Sequence, residues 1–225
     1  MMNSHCPHCP FPRRYVAPNG PQPCPILVIG EGPARMELRY GYPFAGDSGD
    51  ELSDVYLPLA GLRRHNVRAT NARLCCDPSF LNPTKAEAAH CAAQHLGVEI
   101  RRTEPKVIIA LGAVAASLFG ITNLDHAHGI PVQAQFEHWY GWVFPVFHPA
   151  HGIRVPSLIT RIRTDFLALG EILPALLDGT YSPPSHPPPL PPLPPPPPPP
   201  HPPPPRPPPP VRVHPRRRPP TQTPP

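Results

Sequence analysis

Apolar residues in this chain collect into short unbroken runs rather than an alternating pattern. Ile26, Leu27, Val28 and Ile29 form the first, 67–71, broken by Arg68 and Thr70, reads as a short second strand, and Lys-Val-Ile-Ile-Ala-Leu-Gly over 106–112 and 142–147 make a third and a fourth. Runs of this length, closed by glycine, asparagine or proline, read as strands buried on both faces of a parallel sheet. Between them the spacing changes to helical. From Ser48, residues Leu52, Val55, Tyr56, Leu59 and Leu62 repeat on one face, with Pro58 predicted to kink the helix. Pro83-Thr84 opens a helix reaching about Arg102, and Ala-Val-Ala-Ala-Ser-Leu-Phe-Gly over 113–120 makes two turns ended by Gly120. A last helix over 157–177 carries Ile159, Ile162, Phe166, Leu169, Leu173 and Leu177. Strands alternating with helices predict a three-layer α/β/α fold around a central, mostly parallel four-stranded sheet.

The punctuation between these elements brings chemistry to one rim. Gly30, Gly32 and Pro33 end the first strand in a tight turn that carries Glu31 into the crevice where open α/β sheets hold ligands. Gly41, Pro43 and Gly46 make a second turn, fixing Phe44 where its flat face can meet a planar ligand. Asn71 ends the second strand and His148-Pro149 the fourth. By itself Gly-Glu-Gly-Pro suits a phosphate site or a plain structural turn just as well.

Composition divides the chain in two. Of 225 residues 45 are proline, most of them after Ser182, and the formal net charge is +5. Residues 182–225 hold Arg206, Arg212, Arg216, Arg217 and Arg218 and no acid, so this tail carries the whole excess; 1–181 sums to zero. The tail is expected to be disordered and extended as polyproline II: a solvated repeat, a ligand for a polyproline-binding partner or an arginine-tipped arm for DNA. A nucleic-acid enzyme with a neutral body must gather its positive charge into a local patch. No segment is apolar enough to cross a bilayer, and the first residues lack a signal peptide's apolar core, so the expected location is cytoplasmic.

In a reducing compartment six cysteines suit metal ligation or core packing better than disulfides. Cys6-Pro7-His8-Cys9 has the spacing that brings two thiolates to one centre, and Cys75 and Cys91 stand sixteen positions apart. Four such thiolates hold an iron–sulfur cluster or zinc equally well.

Gly-Glu-Gly-Pro, followed ten residues on by Pro-Phe-Ala-Gly and Ser-Gly, with His148-Pro149-Ala150 far downstream, resembles the motifs of the type-4 iron–sulfur uracil-DNA glycosylases. The resemblance covers about 6–175. It implies a monofunctional DNA repair enzyme, acting as a monomer, that hydrolyses the N-glycosidic bond of uracil in DNA and leaves an abasic site. It implies a [4Fe-4S] cluster on Cys6, Cys9, Cys75 and Cys91, the register after Thr70-Asn71 choosing Cys75 over Cys76. His148 then donates to the uracil O2 and Glu31 orients water or offsets charge on the sugar. Asn71 reads the base edge, Phe44 stacks on it, and Glu37 crowds the C5 position, with Gly32 also at the base. The segment 150–154 is expected to be a loop entering the space left by the extruded nucleotide, with Ile153 or His151 as wedge and Arg154 on a phosphate.

The chain departs from that family at several points. Ala34, Arg35, Met36 and Leu38 replace a customary run of acids, and His128-Gly129 stands where an arginine-glycine pair is usual. The cysteine loop also lacks its customary arginine and paired prolines. These changes leave a second expectation, a weakly active or non-catalytic iron–sulfur DNA-binding protein on the same fold.

Overall fold

The computed structural model describes residues 14–183. Cys6, Cys9 and the proline- and arginine-rich segment from position 184 lie outside the described residues. Strand β1, Ile26–Gly30, is buried at every position, as its unbroken apolar run requires. It is followed by α1, Arg35–Tyr40, and by α2, Asp47–Glu51, which runs on through a π turn at Leu52–Tyr56 into α3, Leu57–Leu59. Pro58 accounts for the π turn: it has no N–H to offer the carbonyl four residues back, and Leu57 N donates instead to Leu52 O. Strand β2, Arg68–Asn71, leads through a loop to α4, Lys85–Thr103. Thr84 caps α4 in both directions: its hydroxyl accepts from Glu87 N, and the Glu87 carboxylate accepts from Thr84 N at 2.7 Å.

The fully buried β3, Val107–Leu111, is followed by α5, Ala113–Ser117, and α6, Leu124–Ala127. Strands β4, Val132–Phe136, and β5, Trp139–Val146, form a hairpin, after which α7, Pro149–Arg154, and α8, Ser157–Asp178, complete the described fold.

The sheet order is β2-β1-β3-β5-β4, parallel except for the β4–β5 pair. The sheet therefore has five strands where the apolar runs predict four. The unforeseen β4, Val-Gln-Ala-Gln-Phe, sits at the edge, buries only Ala134 fully, and offers no apolar run to read. The chain leaves β1 for β2 on one side, then crosses back to β3 on the other. Two right-handed crossovers in opposite directions put their helices on opposite faces, which gives the three layers. The reversal also opens a crevice between the carboxyl ends of β1 and β3.

Residues 14–19 run antiparallel beside β2 and its extension, with Tyr15 opposite Cys75 and Asn19 opposite Ala69, and so cover the other sheet edge. Among the described residues no helix is long and apolar enough to cross a membrane.

One glycine holds the rim together by having no side chain. A Cβ on Gly49, in the first turn of α2, would run into the backbone carbonyl of Phe44. We expect Gly49→Ala to destabilise the protein by about 1–3 kcal/mol through overpacking. Urea denaturation measures this; a variant as stable as the parent would show that the close approach is absent.

Candidate active site

All the candidate residues within 14–183 lie on segments that follow strands β1, β2 and β5. Glu37, one turn into α1, is 6% exposed and is the point at which three segments meet. One carboxylate oxygen, Oε2, accepts from Ala34 N at 2.7 Å and closes the first turn of its own helix. The other, Oε1, accepts from Phe44 N at 2.8 Å and from Asn71 Nδ2 at 3.0 Å. Burial lifts the Glu37 pKa, and the hydrogen bonds from Ala34, Phe44 and Asn71 act against that lift.

These bonds determine the geometry of both partners. Phe44 has φ +60°, a left-handed conformation that a bulky residue adopts only when held there. Its N–H is secured by Glu37, while Gly49 packs beneath its carbonyl. Asn71 has two possible amide orientations, and a carboxylate beside it can only accept, so the NH2 group turns to Glu37 and Oδ1 points the other way. Oδ1 and the ring of Phe44 meet over Gly30: a Cβ there would collide with Asn71 Oδ1 and stand 2.9 Å from Phe44 Cε1. Gly30 is thus a site residue that the sequence presents only as a turn former.

His148 closes the other side, its ring centroid 6.4 Å from that of Phe44. It is the N-cap of α7, and its Nδ1 accepts from Ala150 N at 3.2 Å. A ring nitrogen that accepts carries no proton, so the neutral imidazole keeps its hydrogen on Nε2. Burial, followed by the nearby charges of Arg154 and His151, pushes the His148 pKa down to about 4. The ring is therefore a neutral donor throughout the physiological range. Behind it, Phe147 lies 4.7 Å from the ring of His128, whose Nδ1 is 2.9 Å from the buried Asp165 carboxylate.

Glu31 sits in the β1–β3 crevice. Its Oε1 accepts from Val114 N at 3.3 Å and its Oε2 from Asn82 Nδ2 at 3.4 Å. Gly112, at φ +92°, leaves the space the carboxylate occupies, since a Cβ there would collide with Oε1. Burial raises the Glu31 pKa, while Val114 N–H, His151 and Arg154 lower it. Gly32 packs against Pro83, which a Cβ would approach to 2.9 Å.

The segment 150–154 is not the loop that the resemblance implies. It is the helix α7, begun by His148 and Pro149, and Gly152 is buried on Ile162, Ile159 and Tyr56 rather than serving as a hinge. His151, Ile153 and Arg154 are exposed on it, Ile153 to 49%.

Cys75 and Cys91 are both buried, and Cys91 Sγ accepts from Leu74 N at 3.3 Å. Burial, then Glu99 and the two sulfurs, pushes the Tyr15 pKa up to about 12, and Tyr15 stands opposite Cys75 across an antiparallel bridge. Cys76 points elsewhere, its thiol donating to Pro33 O at 3.1 Å. Among the described residues no three potential ligands converge on one point.

The model of the uracil DNA glycosylase superfamily matches residues 17–169, which include every one of these strands and loops. The chain is similar to a type-4 uracil-DNA glycosylase of Archaeoglobus fulgidus, 31% identical over 164 residues, 70% of this chain and 81% of the relative. It is 31% identical over 169 residues to the type-4 uracil-DNA glycosylase of Saccharolobus solfataricus, covering 72% and 78%. With that of Thermotoga maritima it shares 35% identity over 134 residues, covering 57% and 66%. On the family model's match over 17–169 and the identity and coverage shared with these relatives, the chain belongs to the uracil-DNA glycosylase superfamily and, within it, to the type-4 group.

Proposed function

We propose that this chain hydrolyses the N-glycosidic bond of uracil in DNA, with the extruded base held between Phe44, Asn71 and His148. Breaking that bond leaves positive charge on the sugar and sends the base out as an anion spread over its ring oxygens. In this reading uracil stacks on Phe44, a contact worth roughly 1–3 kcal/mol and blind to base identity. Asn71 supplies identity. With its NH2 turned to Glu37, one amide hydrogen remains for O4 and Oδ1 accepts from N3–H, a pattern that cytosine reverses. Glu37 acts here through Asn71 and Phe44 as a positioning residue. Nε2–H of His148 donates to O2 as negative charge develops there. Glu31 stands at the crevice floor, suited to orient water. Ile153 or His151 enters the vacated stack, and Arg154 meets a phosphate.

The observation that carries this reading is the bond from Ala150 N to His148 Nδ1, because it leaves the neutral ring a donor on the one nitrogen that can face a ligand. The similarity to named glycosylases favours the enzyme over a non-catalytic binding protein. Alkali treatment of a uracil-containing oligonucleotide after incubation with the protein tests it: strand breaks at uracil are expected, and intact strands with enzyme in excess would refute it.

Four thiolates of Cys6, Cys9, Cys75 and Cys91 would hold the [4Fe-4S] cluster that the type-4 relatives suggest. Two features support the fit: Cys75 and Cys91 are both buried, and the Cys91 sulfur accepts from the amide of Leu74, the residue next to Cys75. Such a group would tie the N-terminal segment to the body. The thiols and the DNA substrate fit a cytoplasmic monomer.

Three outcomes follow. The rate of uracil release should show no inflection near the ordinary histidine value of 6.5, since His148 stays neutral down to about 4. Its folded pKa lies below the unfolded one, so the stabilisation linked to its neutral form is complete above 6.5 and declines as pH falls from 6.5 toward 4. A rate profile with an inflection at 6.5 would place a solvated imidazole at the site. Glu37→Gln sets an NH2 group against at least one of three N–H donors, and should slow single-turnover release by roughly tenfold; an unchanged rate would mean that the carboxylate does not set the pocket. Purified Cys75→Ala and Cys91→Ala proteins should each lose the brown charge-transfer absorbance of the parent, whereas Cys76→Ala should keep it. Colour lost with Cys76 and kept without Cys75 would reverse the register.

A further inference from the structure

Helix α1 has two chemically different faces. The inner one carries Glu37. The outer one carries Arg35 and Arg39, four residues and therefore about 6 Å apart along the axis. The Arg35 guanidinium lies 4.8 Å from the ring centroid of Phe80, and that of Arg14 lies 4.9 Å from the same ring. Arg39 lies 5.7 Å from the ring of Tyr40, which in turn is 6.2 Å from the ring of Tyr42. Tyr40 and Tyr42 are 54% and 41% exposed, although an aromatic ring gains most from burial.

Elsewhere in this electrically neutral body Arg68 pairs with Glu99, Arg73 with Glu87 and Arg101 with Glu137. Among the described residues no carboxylate lies within ion-pair distance of Arg14, Arg35 or Arg39. Three unneutralised guanidiniums are thus interleaved with three rings on one stripe. On the chain the stripe's last ring, Tyr42, stands two residues before Phe44 of the pocket.

We propose that this stripe is a track for a single DNA strand leading to the pocket. Arg35 and Arg39 take phosphates of that strand and the exposed Tyr40 and Tyr42 stack on its unpaired bases, while the Phe80 ring holds the guanidiniums of Arg14 and Arg35 beside it. Phosphate contacts alone would serve single or double strands equally. The exposed rings favour a single strand, because bases already stacked in a duplex have no faces to offer. The change from acids to Ala34, Arg35 and Met36 after the first motif then acquires a purpose: it reverses the charge of the helix face that the strand crosses. This inference rests on the glycosylase reading for the position of the pocket and extends it to strand preference.

Fluorescence anisotropy with a uracil-free single-stranded oligonucleotide and its duplex, over a series of salt concentrations, tests the track. The double variant Arg35→Ala, Arg39→Ala should flatten the slope of log affinity against log salt on the single strand by about 1.4, two phosphate contacts at roughly 0.7 each. Tyr40→Ala with Tyr42→Ala should weaken single-strand binding about tenfold and change duplex binding little. Arg102→Ala, at the far end of α4, should match the parent, and thermal melts of all three variants should coincide with it because every altered side chain is exposed. Stripe variants with the parental slope and affinity, or tyrosine variants equally impaired on both DNA forms, would overturn the proposal. Uracil release by the unaltered protein, measured in parallel, separates the two readings. Release with unimpaired stripe variants removes the track alone, and strand binding lost by the variants without any uracil release removes the glycosylase reading alone.

Discussion

A single buried carboxylate organises the candidate site. Burying Glu37 would be costly without partners, and it is offset by three N–H donors from three separate places: Ala34 in its own first turn, Phe44 in the next loop, and Asn71 at the tip of β2. Because all three converge on two oxygen atoms, the start of α1, the aromatic platform and the amide that reads a base edge cannot move independently. The strained φ of Phe44 persists for the same reason. What the carboxylate holds is assembled before any ligand arrives, so little ordering is left to be done on binding.

The two titratable groups at the crevice are both shifted by burial towards their neutral forms, His148 downward and Glu31 upward. For the histidine the result is a donor whose proton position is set by the Ala150 amide and not by pH. For Glu31, the Val114 amide and the charges of His151 and Arg154 work against the shift, which keeps an acceptor at the crevice floor. Both arrangements depend on the short helices that follow β3 and β5. The second of them exists because His148 caps its own successor residues.

Much of this was readable from the chain. The unbroken apolar runs gave β1 and β3, which are buried at every position, and Pro83-Thr84 gave the start of α4. Glycine and proline placement located the turns that carry Glu31 and Phe44. What escaped has physical causes. Strand β4 lies at an edge, so its polar alternation resembles a loop. Helix α7 was hidden by Gly152, whose missing side chain serves packing on Ile162 rather than flexibility. Gly30 needs no unusual φ; it is glycine because Asn71 and Phe44 close over it, a contact between positions far apart in sequence. Glu37 could be matched to a motif by its place, but that one carboxylate serves three donors is a property of the folded chain alone.

The most direct test of this organisation is a double-mutant cycle on single-turnover uracil release, combining Glu37→Gln with Asn71→Ala. If the carboxylate works by holding the amide, the doubly substituted protein will be faster than the product of the two single effects allows, with a coupling of at least about 0.5 kcal/mol. Two effects that multiply without coupling would contradict the account, since Glu37 and Asn71 would then act independently of each other.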